Sequence, residues 1–98
     1  PKGVLVPHRS RILTLFAMAV EYGCYGPDDR FLAIAPMCHG AGMVFSLAPV
    51  FFGGYVEIMD RFEPESVLAA LAGNGITGFF GVPTHFHALM SLPPAALA

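Results

Sequence analysis

Apolar positions in this chain come in dense blocks, parted by short runs rich in glycine, proline and acidic residues. From Ser10 to Tyr22 the apolar residues Ile12, Leu13, Leu15, Phe16, Met18, Ala19 and Val20 predict a helix buried on most sides, with Gly23 as its stop. Gly26-Pro27-Asp28-Asp29 makes a polar turn, and Phe31 to Met37 reads as a strand. After the small-residue turn CHGAG, Met43 to Phe52 reads as a helix that Pro49 kinks or stops early and Gly53-Gly54 ends. Tyr55 to Met59 is a second strand. Asp60 to Glu65 opens a third helix, with Pro64 in its first turn and acids at its positive end. Val67, Leu68, Leu71 and Ala72 supply that helix's apolar face, and Gly73-Asn74-Gly75 closes it. Ile76 to Val82 is a third strand, and Thr84 caps a last helix running through Leu89 and Met90 to Pro93-Pro94. Ahead of all this, Pro1, Lys2 and Gly3 read as a tight turn and Val4-Leu5-Val6 as a short extended piece.

Helix and strand thus alternate without an internal repeat, which predicts an α/β layer of mainly parallel strands joined by right-handed crossovers. In such sheets the ligand crevice lies at the carboxyl ends of the strands. Those ends carry Cys38, His39 and Gly40 in one case and Pro83, Thr84 and His85 in another.

Composition bears chiefly on the surface. Ninety-eight residues with 55% hydrophobic content can fill a core, but charged residues make up only 12%, about half the ~25% of a soluble domain. After Glu65 there is no Asp, Glu, Lys or Arg. A self-contained domain must cover itself in polar groups, so the chain reads as part of a larger layered domain, packing against the rest of its own parent and forming no complete domain alone. The uncharged run from Phe31 to Val56 exceeds the ~20 residues of a membrane span. Pro36, Gly40, Gly42, Pro49, Gly53 and Gly54 break it into strand-length and helix-length pieces, so it reads as buried elements and no transmembrane segment is expected. A net charge of −2 with no basic run points away from nucleic acid. Cys24 and Cys38 lack the spacing of a zinc or disulfide framework, which fits a reducing, cytoplasmic location and predicts no metal site.

Candidate chemistry is sparse. His39, in APMCHGAGM, follows the first strand among glycines that let a ligand approach the backbone, and the alternative is a helix cap or a core packing residue. His85 and His87, two apart, face apart on a helix; they read as partly exposed helix residues and not as a metal pair. Cys38 reads as a buried, inert thiol, since no orienting group for a nucleophile is identifiable. Lys2, the only lysine, sits beside Gly3 in a turn that can hold a phosphate, a pattern shared with many surface turns.

Taken in order, PKGVLVPHRS, APMCHGAGM, APVFFGGYVEIMDRFEPESVL and GVPTHFHALM resemble the adenylate-forming enzymes: acyl- and aryl-coenzyme A ligases, firefly-type luciferases and peptide-synthetase adenylation domains. The resemblance covers essentially the whole chain, from the tail of the phosphate loop through the acyl-pocket region of the large N-terminal, AMP-binding domain. It implies that Lys2 and Gly3 end the phosphate loop, that His8 opens the next helix, and that His39 is the catalytic gate beside the acyl carboxylate. Gly40, Ala41, Gly42, Val82, Pro83 and Thr84 would line the acyl pocket with it. The implied parent is an ATP-dependent acyl-coenzyme A ligase. It would take a carboxylic acid, ATP with Mg2+, and coenzyme A, adenylating the acid with loss of pyrophosphate and then forming the thioester. The family's adenine motif, ribose-binding aspartate, hinge and C-terminal lysine have no counterpart in these residues, so the segment alone is expected to be inactive. Two alternatives stay open. One is a non-catalytic scaffold or interaction module of this fold. The other is an amino-acid adenylation domain, disfavoured because no aspartate to meet an α-ammonium occurs between Arg30 and Glu57.

Overall fold

The computed structural model describes residues 2–97. Its elements run α1 (His8–Tyr22), β1 (Arg30–Ala33), α2 (Gly40–Phe51), β2 (Tyr55–Ile58), α3 (Pro64–Gly73), β3 (Gly78–Phe80), α4 (Pro83–Met90) and α5 (Pro94–Leu97). The predicted alternation is therefore present, with one short extra helix after Pro93. The three strands form one parallel sheet in the order β2-β1-β3, with Phe31 level with Val56 on one side and Gly78 on the other.

The side chains of β1 alternate between two cores. Phe31 packs with Leu15 and Met18 of α1 and with Val44 and Ala48 of α2. Leu32, and Ile34 just past the strand's end, pack on the opposite side with Val67 and Ala70 of α3 and Leu89 of α4. Period-two geometry on a sheet covered on both faces produces this division, and it explains why the strand reads as a continuous apolar run.

Several boundaries differ from the sequence pattern. β1 stops at Ala33, short of Met37, because the parallel ladder ends where Met59 N–H donates to Ala33 O at 3.0 Å and Pro36 brings no N–H to continue it. β3 is likewise shorter than Ile76 to Val82. α1 begins at His8, directly after the extended Pro7, and ends on Gly23 at φ 65°, whose N–H donates to Ala19 O at 3.0 Å. α1 is not buried on most sides: Leu15 and Met18 face the core while Ile12, Leu13, Phe16 and Val20 stay exposed. Among the described residues it has chiefly α2 to lie against, with Phe16 edge-on to Phe51 and Phe52 at 5.7 and 5.5 Å.

α2 starts three residues earlier than predicted, at Gly40, and Met43 N–H donates to His39 O at 2.9 Å to close its first turn. Pro49 does not stop it. The proline is fully buried close to the helix end, where only one backbone hydrogen bond is forgone before Phe51. On α3, Val67 and Ala70 are the buried positions, whereas Ala72 faces outward. The cap of α4 is Val82 with Pro83 as first helical residue, which moves Thr84 inside the helix, where it cannot act as the cap. Val4, Leu5 and Val6 are exposed, in no strand, and the predicted turn before them includes Pro1, which lies outside the described residues.

Candidate functional site

The chain leaves β1 into α2 on one face of the sheet and leaves β3 into α4 on the other. Neighbouring strands whose exits diverge in this way leave a crevice between their carboxyl ends. A cleft of about 390 Å³ occupies that place, lined by Ala35, Pro36, His39, Ala41, Gly42, Phe80, Val82 and His85. It therefore brings together His39, Ala41, Gly42 and Val82 of the residues singled out from the sequence. Gly40, Pro83 and Thr84 lie next to these along the chain, outside the lining. Lys2 and Gly3 are exposed in the irregular stretch before α1 and line none of the clefts described here.

His39 is held by its backbone and free at its side chain. Its N–H donates to Pro36 O at 3.1 Å and its carbonyl accepts from Met43, yet the imidazole makes no capping hydrogen bond to α2 and is exposed. A histidine whose ring is not spent on the helix is available to a ligand. Beside it, Gly42 is a steric requirement. A Cβ there would collide with the carbonyl oxygen of Pro36 and stand 2.9 Å from its carbon, so only glycine lets the first turn of α2 lie this close to the β1 exit. Ser46 Oγ, buried below, donates to Gly42 O at 2.6 Å and ties that turn down.

His85, which the sequence puts at a crevice-facing strand end but whose helical spacing reads as a partly exposed residue, lines the cleft. It is half-buried on the cleft wall, its Nδ1 accepts the Val82 N–H at 3.1 Å, and its own N–H donates to Val82 O at 2.9 Å. The usable signal was its place three residues after the cap, where a side chain can reach back to the first free N–H of the helix. His87, as expected, does not share the cleft.

Neither cysteine is at the cleft. Cys38 is exposed, contrary to the buried thiol expected, because β1 ends early and leaves it in the turn before α2. Cys24 is half-buried, and burial pushes its thiol above the ordinary 9.0, away from the reactive thiolate. Among the described residues no group of three or more His, Cys, Asp or Glu side chains could hold a metal ion. No helix among them is long and apolar enough to cross a membrane.

The family model described as "AMP-binding enzyme" matches residues 1–98. The chain belongs to the AMP-binding enzymes. Among curated members, a feruloyl-CoA synthase of Amycolatopsis sp is 32% identical over 94 residues, covering 95% of this chain and 19% of the relative. A sulfoacetate–CoA ligase of Cupriavidus necator is 35% identical over 94 residues, covering 95% and 18%. Tyrocidine synthase 3 of Brevibacillus parabrevis is 30% identical over 94 residues, covering 92% of this chain and 1% of that one. In three dimensions the segment is similar to ATP-bound MatB from Rhodopseudomonas palustris, with a TM-score of 0.85 at 26% identity, covering 94% of this chain and 18% of that chain. The chain thus spans about a fifth of the length of the first of these AMP-binding relatives.

Proposed function

We propose that the protein carrying this segment is an ATP-dependent acid–coenzyme A ligase, and that the cleft between β1 and β3 receives the organic part of the acid. The observation that carries the reading is an apolar cleft at the strand exits with the uncommitted imidazole of His39 at its wall. In this reading the acid's carboxylate is held by His39, and its oxygen attacks the α-phosphorus of ATP. Pyrophosphate leaves, and the coenzyme A thiol then displaces AMP from the acyl-adenylate. His39 contributes orientation and a hydrogen bond to the reacting carboxylate, while Ala41 and Gly42, the small residues on the lining, leave room for the acyl or aryl group. Lys2 and Gly3 belong, on the same reading, to the loop that places the phosphates. No residue here is assigned to the magnesium expected with ATP.

The similarity to tyrocidine synthase 3 favours a second reading, adenylation of an amino acid. It fares worse on charge, since the chain has no aspartate between Arg30 and Glu57 to pair with a buried α-ammonium. Pyrophosphate release by the full-length protein, measured over panels of fatty, aryl and amino acids with and without coenzyme A, separates the two. Acid-dependent release followed by thioester formation is expected; release with amino acids alone would favour the second reading, and none with any acid would overturn both.

A further inference from the structure

A second cleft of about 340 Å³ opens at the exits of β1 and β2, with Ile58, Met59 and Phe62 giving apolar lining and Asp60 and Arg61 a polar part. It shares only Ala35, Pro36 and His85 with the cleft that holds His39. Of these, His85 alone has a side chain large enough to divide the two spaces. Resting on the ligase reading above, we propose that the His85 ring is the partition that sets how long an acid the cleft accepts. Its removal would join the second cleft to the first, so that the distal end of a longer acid reaches Met59 and Phe62.

A wall discriminates length only if it stays in place. The ring is fixed on two sides, by the Val82 N–H on Nδ1 at 3.1 Å and by Phe62, whose ring centroid is 4.6 Å away at an interplanar angle of 41°. Gly81 lets the chain pass close to the first turn of α4, since a Cβ placed there would stand 3.0 Å from the Phe86 ring, with the Cβ of His85 in ordinary contact at 3.5 Å. The same Val82 bond makes His85 a cap for α4, so stability and specificity have to be read separately.

Three substitutions do this in the full-length protein. His85→Ala removes cap and wall. His85→Gln restores a side-chain acceptor at the third helical position but replaces the ring with a slender, flexible chain. His85→Phe keeps a ring and loses the acceptor. The measurements are Tm and kcat/KM for a series of saturated acids, with the best acid of the unsubstituted protein as reference. For an acid two carbons longer than that reference, the kcat/KM ratio should rise about tenfold or more in His85→Ala, the scale of apolar discrimination by a methylene or two. His85→Gln should recover Tm while keeping the shifted ratio, and His85→Phe should keep the original ratio at a lowered Tm. An unchanged ratio in His85→Ala, or recovery of both Tm and ratio in His85→Gln, would reduce His85 to a cap and overturn the proposal. If no acid supports pyrophosphate release, the ligase reading fails on its own. Calorimetric binding of the same acid series then decides the partition: a shift to longer acids in His85→Ala supports it, and an unchanged series overturns it.

Discussion

At the residue scale the two groups with the most consequence are a histidine with a free ring and a tyrosine that is almost wholly buried. Because the His39 imidazole makes no capping bond, His39→Ala should leave stability of the full-length protein within about 0.5 kcal/mol. If the ring holds the carboxylate, adenylation should slow on the order of 10²-fold. Pyrophosphate-release kinetics beside thermal melts check both; a large stability loss with normal turnover would assign His39 to packing instead. Tyr25 is buried against Phe31, at 4.9 Å between ring centroids. Burial first, and the neighbouring Cys24 second, raise its phenol above the ordinary 10.0, while burial raises the Cys24 thiol above 9.0. Both groups are neutral near pH 7 in folded and unfolded chains and add no pH dependence there. Above about pH 9 the unfolded chain gives up protons that the folded chain retains, so the unfolded state gains and stability falls as pH rises. Melts of the full-length protein from pH 7 to 11 should show Tm declining from about pH 9, less steeply in Tyr25→Phe; equal slopes would remove Tyr25 from the effect.

At the scale of elements, the join between β1 and α2 governs the site. The first turn of α2 lies so near the Ala35–Pro36 backbone that Gly42→Ala must displace one of them. Backbone cannot swing aside as a flexible side chain can, so the expected cost is about 1–3 kcal/mol. Moving this turn also moves Ala41 and His39 along the cleft, so acid binding should weaken together with stability. Denaturant melts and acid affinity of Gly42→Ala check this; an unperturbed melt would mean that the approach relaxes without cost. The same join shows why element types were readable and their ends were not. Phe31, Leu32 and Ile34 announce a buried strand, but the place where the ladder stops depends on β2 offering four paired residues and no more. The glycines before Met43 read as a turn because glycine is a poor helix former, yet both lie in the helix: at Gly42 only glycine fits against Pro36, whereas Gly40 stands in open space.

At the scale of the whole molecule, the described residues bury two cores and leave much apolar surface outside them. Val4, Leu5, Leu13, Phe16 and Val20 are all exposed, and Leu5 is 98% exposed. β2 and β3 each have one side unpaired among the described residues. Expressed alone, residues 1–98 should therefore self-associate and show no acyl-adenylate formation with any acid. Size-exclusion chromatography and a pyrophosphate assay test this: a monomer with a sharp cooperative melt, or measurable turnover, would contradict it. In the full-length protein the same surface should be protected from hydrogen exchange along α1.

The alternation of helix and strand, the parallel α/β class and the strand exit bearing His39 were all determined by the sequence itself. These depend on local patterns: apolar blocks of strand or helix length, Gly23 and Gly73-Asn74-Gly75 as stops, and the rule that ligands meet parallel strands at their carboxyl ends. Tertiary structure alone decided which of those residues meet. The order β2-β1-β3 places the exits of β1 and β3 side by side, so His39 and Val82, 43 positions apart in the chain, face one cleft. It also set His85, read as an ordinary helix residue, on the lining of two clefts, and left Cys38 in solvent. Pattern along a chain reports which face of an element is apolar, whereas strand order and the close approach at Gly42 are set by contacts between segments far apart in sequence, which no local pattern records.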